Sequence, residues 1–148
     1  MNDKISIIGT VGIVLTDRFG NIKEQRELKN LVVNTGKYLI ARRMLDGTAP
    51  IATHIAVGAG TVDPDVANVA LGSEIARVTL STHSNTLNVM SHVATFLPGV
   101  ATGAITEAGI FAYKVSPAEN ILVSRLKFAV INKPADDTLT INWNLTIV

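Results

Sequence analysis

Three histidines, His54, His83 and His92, are the chain's imidazoles, and imidazole is the side chain best suited to moving protons or binding a metal near neutral pH. Their separations of 29 and 9 residues form no compact ligand pattern. Structural or surface roles are expected for all three, with His83 in a turn and the others in strands. Glu74, Arg77, Glu107 and Arg125 are a second group with chemical potential. Acid–base work by a carboxylate would need a raised pKa and a cleft. The simpler expectation is ion pairing, across strands or between subunits, which fixes register and orientation.

Other residues invite narrower readings. Asp63 and Asp65 flank Pro64 and could hold a cation with help from carbonyls, but no calcium-loop sequence surrounds them, so loop capping or solvent exposure is expected. Gly58-Ala59-Gly60-Thr61 could offer backbone donors to an anion. It lacks both the dinucleotide fingerprint and the phosphate-loop lysine, which favours a tight turn. Trp143, with Phe111 and Phe128, could stack on a sugar, although their placement in alternating strands favours core packing. Arg42 and Arg43 could meet a phosphate, yet two adjacent basic residues on a short helix are an ordinary surface feature. No serine sits in a nucleophile elbow. No catalytic, cofactor-binding or metal-binding residue is therefore assigned, and no cofactor is expected. Glu74, Arg77, Glu107, Arg125, Asp63, Asp65, Arg42, Arg43 and Trp143 stand as structural or interface candidates.

The elements that must position these residues are mostly strands. Residues 138–148 (TLTINWNLTIV) alternate apolar and polar side chains without a break, which places Leu139, Ile141, Trp143, Leu145 and Ile147 on one buried face. Residues 5–16 are rich in Ile, Val and Thr, and 22–33 carry Lys23, Glu24, Gln25, Arg26, Glu27 and Lys29. The pair reads as a hairpin over 5–33, projecting and solvated, whose charges discourage edge pairing. One helix is predicted at 37–45, capped by Asn34 or Thr35, with Tyr38, Ala41 and Leu45 as its apolar stripe and Asp46-Gly47 as its stop. Further strands are expected at 51–57, from 71–77 through about Thr82, and at 87–97, 105–113 and 121–131. His83-Ser84-Asn85-Thr86 is read as a hairpin connection.

About eight β segments and one short helix predict an all-β fold, a β-sandwich or distorted jelly roll with the helix packed against it. The 148 residues suit a single domain over 1–148, long enough to bury a core without staples. The absence of cysteine removes disulfides and thiolate chemistry. Thirteen basic residues against twelve acidic ones, with no block of either sign, give no nucleic-acid footprint. The opening segment 1–17 reads as a strand rather than a secretion signal or membrane span.

Five segments carry a resemblance: LVVNTGKYLIARRM at 31–44, IAVGAGT at 55–61, LGSEIAR at 71–77, AITEAGIF at 104–111, and SRLKFAVINKPADDTLTINWNLTIV at 124–148. Together they resemble small virion structural proteins of tailed bacteriophages. The resemblance implies a noncatalytic particle component used in several copies, in which Gly109 permits close approach and Glu74 and Glu107 orient contacts between strands. A capsid decoration, or cement, protein on the outer capsid surface is the leading expectation. Its partners would be the major capsid protein and sister subunits, in a homo-oligomer such as a trimer, with no nucleic acid or membrane partner. A ring-forming tail, neck or baseplate adaptor is the second reading, and a host-glycan binding module the third. A small hydrolase would need His92 and Glu107 in one polar cleft.

Overall fold

The computed structural model describes residues 3–148, so Met1 and Asn2 of the segment read as an opening strand lie outside the described residues. Ten strands and one helix follow in chain order: β1 (Ile7–Thr16), β2 (Ile22–Lys29), β3 (Leu31–Val32), α1 (Asn34–Arg43), β4 (Ala52–Gly58), β5 (Glu74–Thr79), β6 (Thr82–Thr86), β7 (Val89–Phe96), β8 (Gly103–Lys114), β9 (Glu119–Lys133) and β10 (Thr138–Ile147). They form two five-stranded antiparallel sheets, ordered β2-β1-β10-β7-β6 and β3-β9-β8-β4-β5. The expected all-β sandwich with one helix is the fold.

Alternation builds the core. Val11, Ile13 and Leu15 of β1, Ala94 and Phe96 of β7, and Leu139, Ile141, Trp143 and Leu145 of β10 face inward from the first sheet. Ile55, Val57, Ile105, Ala108, Ile110, Leu126, Phe128 and Ile131 meet them from the second. Each large apolar side chain taken fully from water contributes roughly 1.5–3 kcal/mol. β10, the strand most legible in the sequence, lies in the middle of its sheet, paired with β1 from Leu15↔Leu139 to Ile7↔Ile147 and with β7 on its other side.

Several expectations change in detail. The hairpin within 5–33 does not project: β1 pairs along its length with β10, and β2 is the sheet edge beyond it. Segment 82–86 is not a connection but strand β6, because the turn falls one step later at Leu87 and Asn88. The segment from 71 to 82 is likewise not one strand. The chain leaves β5 in the second sheet at Thr79 and enters β6 in the first at Thr82, crossing the sandwich at Leu80-Ser81.

The helix starts earlier than expected, with Val33 as its N-cap and no side-chain cap. Asn34 is already helical and its N–H is satisfied by the Val66 carbonyl, while the Thr35 hydroxyl donates to the Leu122 carbonyl. Its buried face is Gly36 and Leu39, whereas Tyr38 is 67% and Leu45 95% exposed. The apolar stripe chosen from sequence therefore faces outward. Docking on β9 decides the face: a Cβ on Gly36 would collide with the Val123 backbone, so only glycine permits this approach.

Candidate functional site

The densest polar constellation lies on the face of the second sheet turned away from the core. Glu107 on β8 and Arg125 on β9 are 0% and 2% exposed, and Arg125 Nη2 stands 2.8 Å from Glu107 Oε2. The long connection between β4 and β5, residues 59–73, folds over them. Glu107 Oε1 accepts from the N–H groups of Gly60 (2.9 Å) and Ser73 (2.7 Å), and Oε2 from Gly72 (2.9 Å) and from Arg125 through Nε and Nη2. Arg125 completes the closure by donating to Asn68 Oδ1 at 2.8 Å and to the Val62 carbonyl at 2.9 Å.

The glycine-rich run at 58–61 does present a backbone donor to an anion, and that anion is this chain's own carboxylate. Side chains on Gly58 or Gly60 would collide with Glu107. Gly109, expected to permit close approach, lies under Leu71: a Cβ there would come 2.9 Å from Leu71 Cδ2. Leu71 joins Val33, Ala56, Phe111 and Leu122 in a small second core beneath the same connection.

The electrostatics follow from this geometry. Burial works against ionisation of Glu107, but the bonds from Ser73, Gly72, Arg125 and Gly60 outweigh it and hold its pKa below the usual carboxylate value. A general acid would need the opposite shift. With five donors on its two oxygens, Glu107 anchors a loop. The pair is a cross-strand ion pair within one chain, rather than a contact between subunits. Asn68, Gly72 and Ser73 were not singled out in the sequence, because loop backbone donors leave no periodic signal.

The remaining candidates are distributed around this frame. Glu74 and Arg77 form a bidentate pair at the edge strand β5, and the Arg77 guanidinium lies 3.8 Å above the Phe111 ring and donates to Asn120 Oδ1. Asp65 caps its loop by accepting from the Ala67 N–H, as expected, and Asp63 pairs with Lys127 at 2.5 Å. Arg42 holds Glu119 through two nitrogens and also Asp46, while Arg43 donates to the Gly47 and Ala49 carbonyls. Both arginines thus bind the turn after α1, and Arg42 also ties it to the start of β9. Trp143 is 0% exposed and Phe111 and Phe128 are buried, so these aromatics offer no exposed stacking platform.

His83 and His92 are direct cross-strand partners in β6 and β7. His92 is buried and its Nδ1 donates to the Trp143 carbonyl at 3.1 Å. Burial lowers its pKa, the Trp143 carbonyl opposes this, and the neighbouring His83 adds to the lowering. His54 stands in the other sheet, edge-on to Tyr113. Among the described residues no group of three or more His, Cys, Asp or Glu side chains is placed to hold a metal. His92 and Glu107 do not share a cleft either: His92 lines a groove with Leu39, Pro50, Ile51 and Met90 at one mouth of the sandwich, while Glu107 lies under the 59–73 connection. That groove is apolar, about 260 Å³ in volume.

The sequence missed two further buried charges. Lys133 on β9 donates to the Leu97 carbonyl at 3.1 Å, and burial lowers its pKa against the pull of Asp137. Asp137 pairs with Lys23 at 2.6 Å, tying the last loop to β2.

No protein-family model, curated protein or solved structure matches this chain.

Proposed function

We propose that this chain is a noncatalytic structural protein of a tailed-bacteriophage particle, a capsid decoration protein bound in several copies to the major capsid protein. The observation that carries the noncatalytic part is the use of its buried charge: Glu107 is saturated by five internal donors and has a lowered pKa. The particle assignment rests on the resemblance carried by residues 31–44, 55–61, 71–77, 104–111 and 124–148. A rigid sandwich suits this role, since a clamp across capsomers transmits load only if it does not itself deform. Each contact can be weak, because attachment of linked copies multiplies modest affinities. The charged strand β2, the Asp63-Pro64-Asp65 turn and the loop at 98–103 are the proposed contact elements.

The test is co-sedimentation of purified protein with expanded capsids, followed by electron microscopy of intact particles. Icosahedrally arranged copies and a loss of shell stability in particles lacking the protein are expected. Copies confined to one vertex would replace this reading with the tail or neck adaptor. Absence from the particle would sink both.

A further inference from the structure

Four strands end the two sheets, and three of them discourage pairing with another chain. β2 carries Lys23, Glu24, Arg26, Glu27 and Lys29; β3 is only two residues long; β5 carries Glu74 and Arg77 and has a register irregularity opposite Gly58. These are the usual protections of a sheet edge. β6 has none of them. Its sequence, Thr82-His83-Ser84-Asn85-Thr86, lacks Lys, Arg, Asp, Glu, Pro and Gly, its register with β7 is unbroken, and all five residues are exposed.

Its hydrogen-bonding direction follows from the turn. Leu87 and Asn88 form a two-residue connection, with Leu87 at φ +53°, so the closing pair Thr86↔Val89 is a hydrogen-bonded one. Bonded and non-bonded pairs alternate along an antiparallel ladder. Thr86, Ser84 and Thr82 therefore bond to β7, and His83 and Asn85 turn their main-chain N–H and C=O groups away from it.

We infer that β6 pairs with β6 of a second copy of this chain, antiparallel and about a twofold axis at Ser84. In that register His83 faces Asn85 of the second copy and Asn85 faces its His83, which makes about four main-chain hydrogen bonds. Ser84 meets its own counterpart, and Thr82 meets Thr86, at the pairs where Cα atoms approach to about 4.5 Å. Small hydroxyl side chains fit that spacing and can hydrogen-bond across it. The strand is thus self-complementary on both counts, as an isologous interface requires. No like charges oppose each other. The two first sheets join into one continuous sheet, and the groove beside β6, lined by Ile51, Ala52 and Met90, becomes part of the covered surface. The inference goes beyond the proposed function and holds whether or not the chain belongs to a phage particle.

Sedimentation equilibrium of the purified chain over a concentration series tests it, with a monomer–dimer equilibrium expected. Ser84→Lys and Ser84→Glu each place like charges on the twofold axis at an exposed position, and each weakens the dimer by roughly tenfold or more. An equimolar mixture of the two variants restores it, because opposite charges then face each other. Thermal melts matching the unsubstituted chain verify that both variants fold. A chain that stays monomeric throughout the series, an oligomer indifferent to both substitutions, or a mixture no tighter than its components would each overturn the proposal.

Discussion

At the residue scale, one buried carboxylate does more than any other side chain to hold the molecule's surface loop in place. Glu107 replaces the water that Gly60, Gly72 and Ser73 would otherwise need, and it neutralises Arg125 where neither charge could stand alone. Glu107→Gln removes the charge and turns an amide donor toward other donors. Equilibrium denaturation is expected to show a loss of about 3–5 kcal/mol, as for a broken buried pair; a loss below 1 kcal/mol would refute the anchoring role. The pH dependence has a definite sign. Because the folded pKa is lowered, the contribution of Glu107 is fully present above the unfolded pKa of about 4.5. It is lost as pH falls through the lower folded value. Acid titration followed by fluorescence of buried Trp143 should show destabilisation beginning below about pH 4.5 that the Gln variant lacks at this site.

At the element scale, α1 is held by close approach rather than by its own chemistry. It has no side-chain cap and no acidic residue in its first turn, and at ten residues it would not persist alone. Gly36 lies against the Val123 backbone, Thr35 bonds to Leu122, and Arg42 clamps Glu119 at the start of β9. Gly36→Ala improves intrinsic helix propensity by roughly 1 kcal/mol yet inserts a methyl group where a strand backbone already lies. The clash prevails, so thermal unfolding is expected to show a net destabilisation of about 1–3 kcal/mol. An unchanged or raised midpoint would mean that the helix can slide away from β9 without cost.

At the scale of the whole molecule, stability is concentrated where strands have partners on both sides. β10 lies between β1 and β7, and β8 between β9 and β4. Native-state hydrogen exchange should find the slowest amides in β10 and β8, opening only with global unfolding. In the monomer His83 and Asn85 should exchange fast, because their N–H groups point away from β7. Fast exchange throughout β10 would contradict the central place of that strand. The topology is also non-local: β1 pairs with β10 from the far end of the chain, and the chain leaves the first sheet after β7, forms the β8-β9 pair in the second, and returns to the first in β10.

The sequence by itself determined the fold class and the buried side of β10, and it marked Glu107 and Arg125 as charges in need of partners, leaving open which partners and whether across strands or between subunits. Period-two alternation is a local property, and a charged residue inside an apolar strand must find a partner. It also marked Asp65 as a loop cap, whereas the glycine-rich run at 58–61 was read only as a tight turn. Only the tertiary structure decided that this run holds Glu107, that the helix buries Gly36 and Leu39, and that His83 lies in a strand facing His92. The helix stripe was misleading because a ten-residue helix offers two rival apolar faces, and the choice belongs to β9. The 82–86 segment was misleading because Ser and Asn favour turns, whereas pairing with β7 outweighs that preference. Local periodicity therefore identified the strands, but their partners were set by contacts between residues far apart in the chain.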